Sequence, residues 1–189
     1  KQPVNVIKVG EPLGSFYLLQ WQGVFQTDAE AAVYGCKAGD NKYLDVSGDK
    51  AFGYDDRKLS GSALPKFQWG LNNNFQYKNF EINIFIQGVY GNKILNATYA
   101  AAAQPSSDVR YITLAEAGNY WTAQNTGSIW TDPTSKTNRN FVESTKYLMD
   151  GSYVRVKNAS LSYTIPDRIF KYARLKLSAS AQNWITFTK

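Results

Sequence analysis

Two neighbouring segments of the chain alternate apolar and polar residues with a period of two, as half-buried β-strands do. They cover residues 67–77 and 80–90, with Lys78 and Asn79 between them. A two-residue connection of this kind predicts a tight hairpin in which Asn79 supplies the positive φ. The predicted apolar face carries Phe67, Trp69, Leu71, Phe75, Tyr77, Phe80, Ile82, Ile84, Ile86 and Tyr90. The opposite face is mostly polar, so the pattern predicts two long antiparallel strands.

The same alternation returns in residues 153–165 and again in residues 173–182, with Pro166-Asp167 breaking the pattern between them. Between the hairpin and the third strand lie residues 92–150, which are rich in Asn, Thr, Ser, Gly and Ala. Connections longer than about 15 residues are uncommon in compact domains and are usually functional. We therefore predict an all-β fold of antiparallel strands with one long loop region.

Three features separate a membrane barrel from a soluble β-sandwich, the commoner class with this alternation. The strands run about ten or eleven residues, which is the length that a tilted strand needs to cross a bilayer. The connections alternate between short and long, as they do in outer-membrane barrels. Aromatic residues stand near both strand ends of the apolar face, with Tyr77, Phe80 and Tyr163 at one end and Phe67, Tyr90 and Tyr153 at the other. Four strands cannot close a barrel, so the pattern predicts a fragment of a larger one.

Two basic residues break the apolar face of the third strand. Arg155 and Lys157 have the same parity as Leu161 and Tyr163, which would turn both charges toward lipid. A β-bulge that shifts the register would resolve this conflict, as would a position at the membrane rim where the side chains reach water.

Composition removes several classes of function. The chain of 189 residues contains no histidine, which excludes Ser-His and Cys-His catalysis within it and the usual zinc sites. Its net charge of +6 is dispersed, so we expect no nucleic-acid partner. Cys36 is the single cysteine, and no apolar run is long enough for a spanning helix. A glycoside hydrolase acting through carboxylates such as Asp55 and Glu143 stays open, although no pattern brings such a pair together.

Residues 45–56, DVSGDKAFGYDD, carry oxygen-bearing side chains at alternate positions, as calcium loops do. The predicted ligands are Asp45, Ser47, Asp49, the Ala51 carbonyl and Asp56. Position six of the loop is Lys50 where such loops usually have glycine, and position twelve is an aspartate where they have glutamate. The alternative is a turn held by Asp and Ser side chains without an ion. Both interpretations, calcium site and hydrogen-bonded turn, stay open.

Six runs of the sequence, in the same order, resemble the C-terminal part of SusC-like (RagA/SusC) TonB-dependent outer-membrane transporters. The runs are GVFQTDAEAAVYG, KAGDNKYLDVSGDK, DDRKLSGSALPKFQWGLNNNFQYKNF, IQGVYGN, MDGSYVRVKNASLSYTIP and SAQNWITFTK. They cover nearly the whole chain except residues 93–140. Members of this family commonly have a loop closer to DxNxDG. Residues 45–56 depart from that pattern, because Lys50 stands where the pattern has glycine.

The resemblance implies a 22-stranded transmembrane barrel with long extracellular loops, of which residues 1–189 form a C-terminal segment. The plug, the early strands and the final strands would lie outside this chain, and residues 92–150 would form an extracellular loop region. It also implies import of oligosaccharides or peptides across the outer membrane, driven by TonB, with a SusD-like surface lipoprotein as partner and outer-membrane lipid around the barrel. No catalysis is expected. The competing hypothesis is a soluble β-sandwich that binds glycans and carries a calcium-ordered loop.

Two tryptophans of the long loop region, Trp121 and Trp130, are candidates for contact with the substrate or the lipoprotein lid, because aromatic rings stack on sugars and anchor interfaces. The alternative is that they form a core within the loops. The polar face of the strands would line the lumen, where Asn72, Asn74, Asn83, Gln87 and Gln182 could bind a sugar or meet the plug.

Overall fold

The computed structural model describes residues 4–102, 117–135, 143–166 and 173–188. The strands in these ranges are β1 (Asn5–Val6), β2 (Ser15–Leu19), β3 (Trp21–Val24), β4 (Asn41–Tyr43), β5 (Arg57–Ser62), β6 (Phe67–Tyr77), β7 (Phe80–Tyr90), β8 (Lys93–Leu95), β9 (Leu148–Asp150), β10 (Tyr153–Thr164) and β11 (Lys176–Thr188). The helices are α1 (Asp28–Ala32), α2 (Ala97–Ala102) and a 3-10 helix (Thr145–Tyr147). Among these residues no helix is both long and apolar enough to cross a membrane.

The chain divides into two compact units, residues 1–63 with 94–149 and residues 64–93 with 150–189. The second unit is a four-stranded antiparallel sheet in the order β11-β10-β7-β6. Its hairpin has the predicted bounds, with Phe67 opposite Tyr90 and Tyr77 opposite Phe80. The prediction for the turn was wrong in one respect. Lys78, and not Asn79, has the positive φ of 50°.

The third predicted strand is β10, and the fourth is β11, which starts at Lys176 and continues beyond residue 182 to Thr188. A register shift interrupts β10 between Val156 and Asn158, in its pairing with both neighbours. Of the two explanations that the sequence left open for Arg155 and Lys157, the structure thus contains the bulge, and Lys157 is its extra residue. The predicted break at Pro166-Asp167 lies partly outside the described residues.

The bulge reverses the faces of the residues that precede it. Arg155 stands opposite Gln87 and Thr186, and its Nε donates a hydrogen bond of 2.9 Å to the Thr186 hydroxyl. The charge therefore lies on the polar face, which resolves the conflict in the sequence. The same shift moves Tyr153 to the polar face, opposite Val89. The assignment of Tyr153 to the apolar aromatic band was wrong, because alternation alone does not register an inserted residue.

The apolar face of this sheet is exposed along its whole length. Leu71 is 51% exposed in the middle of the face, and Leu177 is 63% exposed near one end. The other large apolar side chains that are exposed on this face are Phe67, Trp69, Phe75, Tyr77, Phe80, Ile82, Tyr90, Val154, Leu161, Trp184, Ile185 and Phe187. A sandwich buries such side chains against a second sheet. The structure therefore argues against the β-sandwich hypothesis.

Two glycines of this sheet make room for aromatic rings on the facing strand. A Cβ atom on Gly88 would lie 2.2 Å from the Trp69 indole, so the ring packs directly on the Gly88 backbone. On the polar face the Phe85 ring covers Gly70, with a closest approach of 3.1 Å to such a Cβ. Phe85 is an apolar residue on the polar face, and this contact explains its position.

The first unit carries small sheets and a compact apolar core. β2 pairs with β1 and β5, and β3 pairs with β4. The core contains Phe25, Ala31 and Cys36, with Tyr34 and Phe52 packed against it. α1 begins at the Thr27 N-cap, whose side chain accepts a hydrogen bond from the Glu30 N–H.

The predicted loop region, residues 92–150, has regular structure in its described parts. These parts contain β8, α2, the 3-10 helix and β9, and β8 pairs with β9. Tyr147 is fully buried and packs with Ala100, Leu95 and Tyr99. The described parts of the region are therefore ordered structure and not only a connecting loop.

Candidate functional site

The loop of residues 45–56 is organised around the carboxylate of Asp56. This side chain is 1% exposed and accepts hydrogen bonds from three backbone N–H groups: Val46 at 2.9 Å, Ser47 at 3.0 Å and Gly53 at 2.8 Å. The Ser47 hydroxyl donates a fourth at 3.1 Å. Burial raises the pKa of Asp56, but these hydrogen bonds together lower it by more. Its pKa therefore lies below the ordinary 3.8, and the group is ionised at neutral pH.

The two other acidic ligands of the prediction also accept hydrogen bonds within the loop. Asp45 accepts from the N–H groups of Gly48 at 2.6 Å and Lys50 at 3.1 Å. Asp49 is exposed and accepts from the Ala51 N–H at 2.9 Å. These are the side-chain-to-backbone bonds of an Asx-rich turn. The loop thus has the hydrogen bonds that are expected of a turn held by Asp and Ser side chains.

Lys50 takes the backbone conformation that glycine usually takes at position six of a calcium loop. Its φ is 61°, in the left-handed region. This conformation costs a residue with a Cβ about 1–2 kcal/mol relative to its normal conformation. Lys50 therefore makes the sharp turn at position six, although glycine would adopt this conformation at a lower cost.

Aromatic side chains fasten the end of the loop to the first unit. The Phe52 ring stacks on Tyr34 at 5.0 Å between centroids and meets Tyr43 edge-on at 5.4 Å. Two residues later, Tyr54 meets Tyr17 of β2 edge-on, also at 5.4 Å. The sequence gives no indication of this role, because the alternation of oxygen-bearing residues does not show what the apolar residues between them contact.

The donor set of the loop fits calcium chemically. Carboxylate oxygens of Asp45, Asp49 and Asp56 all lie within 4.8 Å of one another. Calcium takes six to eight oxygen ligands, mostly carboxylates and carbonyls, so three carboxylates with Ser47 and the Ala51 carbonyl supply suitable chemistry. The oxygens of Asp56 already accept four hydrogen bonds, so an ion would share them with the backbone. Calcium binding stays a prediction.

Trp121 and Trp130 lie together in the segment of residues 117–135. The Trp121 N–H donates a backbone hydrogen bond of 3.0 Å to the Trp130 carbonyl. The Trp121 ring packs on Gly39, where a Cβ atom would come within 2.8 Å of it. Both tryptophans are half-buried. The Trp121 contact matches the loop-core alternative, and contact of either residue with a substrate or lid stays a prediction.

Distant residues hold this segment in place. Gln26 accepts a hydrogen bond from the Gly127 N–H at 2.6 Å and donates one to the Ser128 carbonyl at 3.2 Å. The Asp132 N–H donates to the Gly39 carbonyl at 2.9 Å. These partners lie about 100 residues away in the chain, and no local pattern in the sequence could have indicated them.

On the polar face of the four-stranded sheet, amide side chains form a ladder across three strands. Asn83 donates to Asn72 at 3.1 Å, and Asn158 donates to Asn83 at 3.5 Å. Nearer the tight turn, Lys176 and Glu81 form an ion pair of 2.6 Å on this face. The part of the face nearer the tight turn is thus polar, as the sequence predicts for the lumen side of a barrel.

Comparison with known proteins identifies the class to which this chain belongs. TonB-dependent receptor P3 of Formosa agariphila is 32% identical over 196 residues, which cover 100% of this chain and 19% of the receptor. TonB-dependent receptor P26 of the same organism is 28% identical over 169 residues, covering 84% of this chain and 16% of the receptor. No protein-family model matches the chain.

Solved structures show the same fold. The RagAB peptide transporter has a TM-score of 0.75 with 17% identity, over 93% of this chain and 19% of that chain. The RagAB peptide importer in the "closed-closed" state also gives 0.75, with 16% identity, over 99% of this chain and 22% of that chain. The fold is therefore that of a segment of these transporters, and the prediction of antiparallel barrel strands is confirmed.

The chain belongs to the TonB-dependent receptors, as its resemblance to the SusC-like members predicts. It spans 19% and 16% of the length of the two curated relatives. Within the described residues its four-stranded sheet is open, so these strands supply a part of a barrel wall and do not close it.

Proposed function

We propose that this chain forms part of the barrel wall and outer loops of a nutrient importer in the outer membrane, driven by TonB. One observation carries the proposal. A single antiparallel sheet with strands of 11 to 13 residues exposes a continuous apolar face and bears a polar ladder on the other. A bilayer on one side and an aqueous lumen on the other account for both faces.

The substrate class is an oligosaccharide or a peptide, and the partner at the cell surface is a SusD-like lipoprotein. The names of the structural relatives, a peptide transporter and a peptide importer, support the peptide, and the SusC-like resemblance supports the oligosaccharide and the lipoprotein. Trp121 and Trp130 are the proposed contacts with the substrate or the lid. Transport of this kind requires no covalent chemistry from the chain.

Two residues on β6 provide a matched test of which face meets lipid. Leu71 and Asn74 are both exposed, but Leu71 lies on the apolar face, in the middle of the strand, and Asn74 lies on the polar face. An arginine on the lipid face of a barrel costs about 2–4 kcal/mol near the bilayer midplane. We expect Leu71→Arg in the full-length receptor to lower the amount of folded barrel in outer-membrane fractions, and Asn74→Arg to leave it unchanged. Equal amounts for the two variants would contradict the proposal.

Uptake assays test the transport step. Cells with the intact receptor should accumulate labelled oligosaccharide or labelled peptide, and cells without the receptor or without TonB should not. Uptake that persists without TonB would contradict the energy source, and loss of uptake without the surface lipoprotein would support the partner.

The proposed role of calcium is to tie the three carboxylates of residues 45–56 together and so to order this outer loop. Asp49 is the best ligand to remove, because the one described hydrogen bond of its side chain is to the nearby Ala51 N–H. We expect calorimetric titration of the receptor with calcium to show binding that Asp49→Asn weakens at least about tenfold, since a charged ligand is lost. Absence of calcium-dependent heat in the unmodified receptor would refute the ion site.

A further inference from the structure

The apolar face of the four-stranded sheet is not uniform, because it contains a hollow of about 370 Å³. The floor of the hollow contains small residues, with Ala159 opposite Ala181 and Ala179 opposite Leu161. Ile82 and Ile84 of β7 line one side, and Trp184 of β11 lines another. The lining is almost entirely apolar, so the hollow is suited to a hydrocarbon group.

A lysine stands in the tight turn, at the end of the sheet nearer to this hollow. Lys78 lies in the β6–β7 turn, and its ammonium group is 5.3 Å from the centre of the Tyr77 ring, which belongs to the apolar face. The turn is held by the hydrogen bond of 2.8 Å from the Thr164 N–H to the Asn79 carbonyl. Among the residues that the structure describes, no carboxylate pairs with Lys78. Its charge is therefore available to an anion.

Residues that pair across the four strands form rows on the apolar face, and these rows show how close Lys78 lies to the hollow. Tyr77, Phe80, Tyr163 and Leu177 form the row next to the turn. The following row contains Ile82, Leu161 and Ala179, which already belong to the hollow. Successive residues on one face of a strand are about 7 Å apart, so the hollow begins within about 7 Å of the aromatic row.

We propose that this groove binds one phospholipid, with its phosphate at the Lys78 ammonium group and one acyl chain in the hollow between Ile82, Ala179 and Trp184. The proposal rests on the proposed function, because it requires this face to meet the bilayer. It goes further by assigning a specific binding site for one lipid, whereas the rest of the apolar face contacts lipid chains without selecting among them. Charge complementarity and an apolar hollow of suitable chemistry select an anionic phospholipid of the leaflet at the tight-turn end.

The experiment uses the full-length receptor, purified in detergent and titrated with phosphatidylglycerol, with bound lipid counted by native mass spectrometry. We expect one lipid to be retained more tightly than the rest. Ala179→Phe fills the hollow and should weaken this binding at least about tenfold, because the acyl chain loses its place. Lys78→Ala should weaken it about fivefold, the effect of one lysine near an anionic lipid.

Two control variants change the same properties elsewhere on the sheet. Val154→Phe adds an aromatic ring to the apolar face at its other end, and Lys66→Ala removes an exposed charge near the other end of β6. Both should retain the lipid as the unmodified receptor does. Retention of one lipid by all four variants, or of none by the unmodified receptor, would overturn the site.

Failure of the site and failure of the proposed function give different results. If the receptor is recovered from outer membranes and imports its substrate but holds no specific phosphatidylglycerol, the phospholipid site is refuted and the importer stands. If the receptor is not in the outer membrane, the proposed function itself fails. Replacement of phosphatidylglycerol by phosphatidylethanolamine, whose headgroup has no net charge, should weaken binding to about the level of Lys78→Ala.

Discussion

Asp56→Asn tests whether one buried carboxylate holds the loop of residues 45–56 in place. The substitution keeps the size of the side chain but replaces one acceptor oxygen with an NH2 donor. When the remaining oxygen faces Val46 and Ser47, the new donor faces the Gly53 N–H, which now bonds to Asp56 at 2.8 Å. The loop then loses a charge-assisted hydrogen bond and gains two opposed donors.

The magnitude follows from the kind of bond that is lost. A hydrogen bond to a charged group contributes about 1.5–3 kcal/mol, and a buried donor left without an acceptor costs about 1–3 kcal/mol. Part of this cost is relieved if the loop shifts toward water, so we expect the loop to be destabilised by about 2–3 kcal/mol. Since 1.36 kcal/mol corresponds to a factor of ten, opening of the loop should become roughly 30 to 150 times more frequent.

Hydrogen–deuterium exchange of the full-length receptor in a calcium chelator measures this opening directly. Peptides that contain Val46, Ser47 and Gly53 should exchange faster in Asp56→Asn by about the predicted factor. Asp49→Asn is the matched control, because Asp49 is exposed and the described hydrogen bond of its side chain is local to Ala51. Unchanged exchange in Asp56→Asn, or equal acceleration in both variants, would refute the assignment of Asp56 as the organising residue.

Three further predictions concern backbone strain, close packing and pH. Lys50→Gly removes the cost of a left-handed φ, so the loop should gain about 1 kcal/mol and exchange roughly fivefold more slowly in the same experiment. Gly88→Val places side-chain atoms where the Trp69 ring lies and should destabilise the folded barrel by about 1–3 kcal/mol, seen as a lower temperature of heat modification on gels. Because the pKa of Asp56 is lowered on folding, its contribution is complete above the ordinary 3.8 and is lost as pH falls through its lower folded value. Cleavage by pepsin beside Phe52, measured relative to Asp56→Asn at the same pH, should therefore be slower in the unmodified receptor at pH 5, and the difference should disappear only below pH 4.

The strands of the second unit could be predicted from the sequence because each has one face that must be apolar throughout. A slip of one residue would turn every side chain to the wrong face, so the alternation has to match the strand over its full length. The bounds of β6 and β7 agree with the prediction for this reason. The sequence also indicated the bulge at Lys157 as one explanation, because Arg155 and Lys157 have the parity of the apolar face.

Other features depend on contacts that the alternation does not encode. The positive φ of Lys78 is set by the turn geometry, and asparagine preference pointed to the neighbouring residue instead. In the loop of residues 45–56, the spacing of oxygen atoms left both a calcium site and a hydrogen-bonded turn open, and it gave no indication of which backbone N–H groups surround Asp56. The attachment of residues 117–135 to Gln26 joins positions about 100 residues apart, beyond the reach of any local pattern.

The central claim is that the apolar face of the four-stranded sheet contacts lipid and the polar face contacts water. Spin labels on single cysteines test it in the full-length receptor in vesicles, with Cys36 replaced by serine. Labels at Leu71 and Leu161 should be relaxed by oxygen, which concentrates in the bilayer, and labels at Asn72 and Ser160 by a water-soluble nickel complex. The opposite preference at Leu71 and Leu161, or exclusion of both reagents there, would contradict the account.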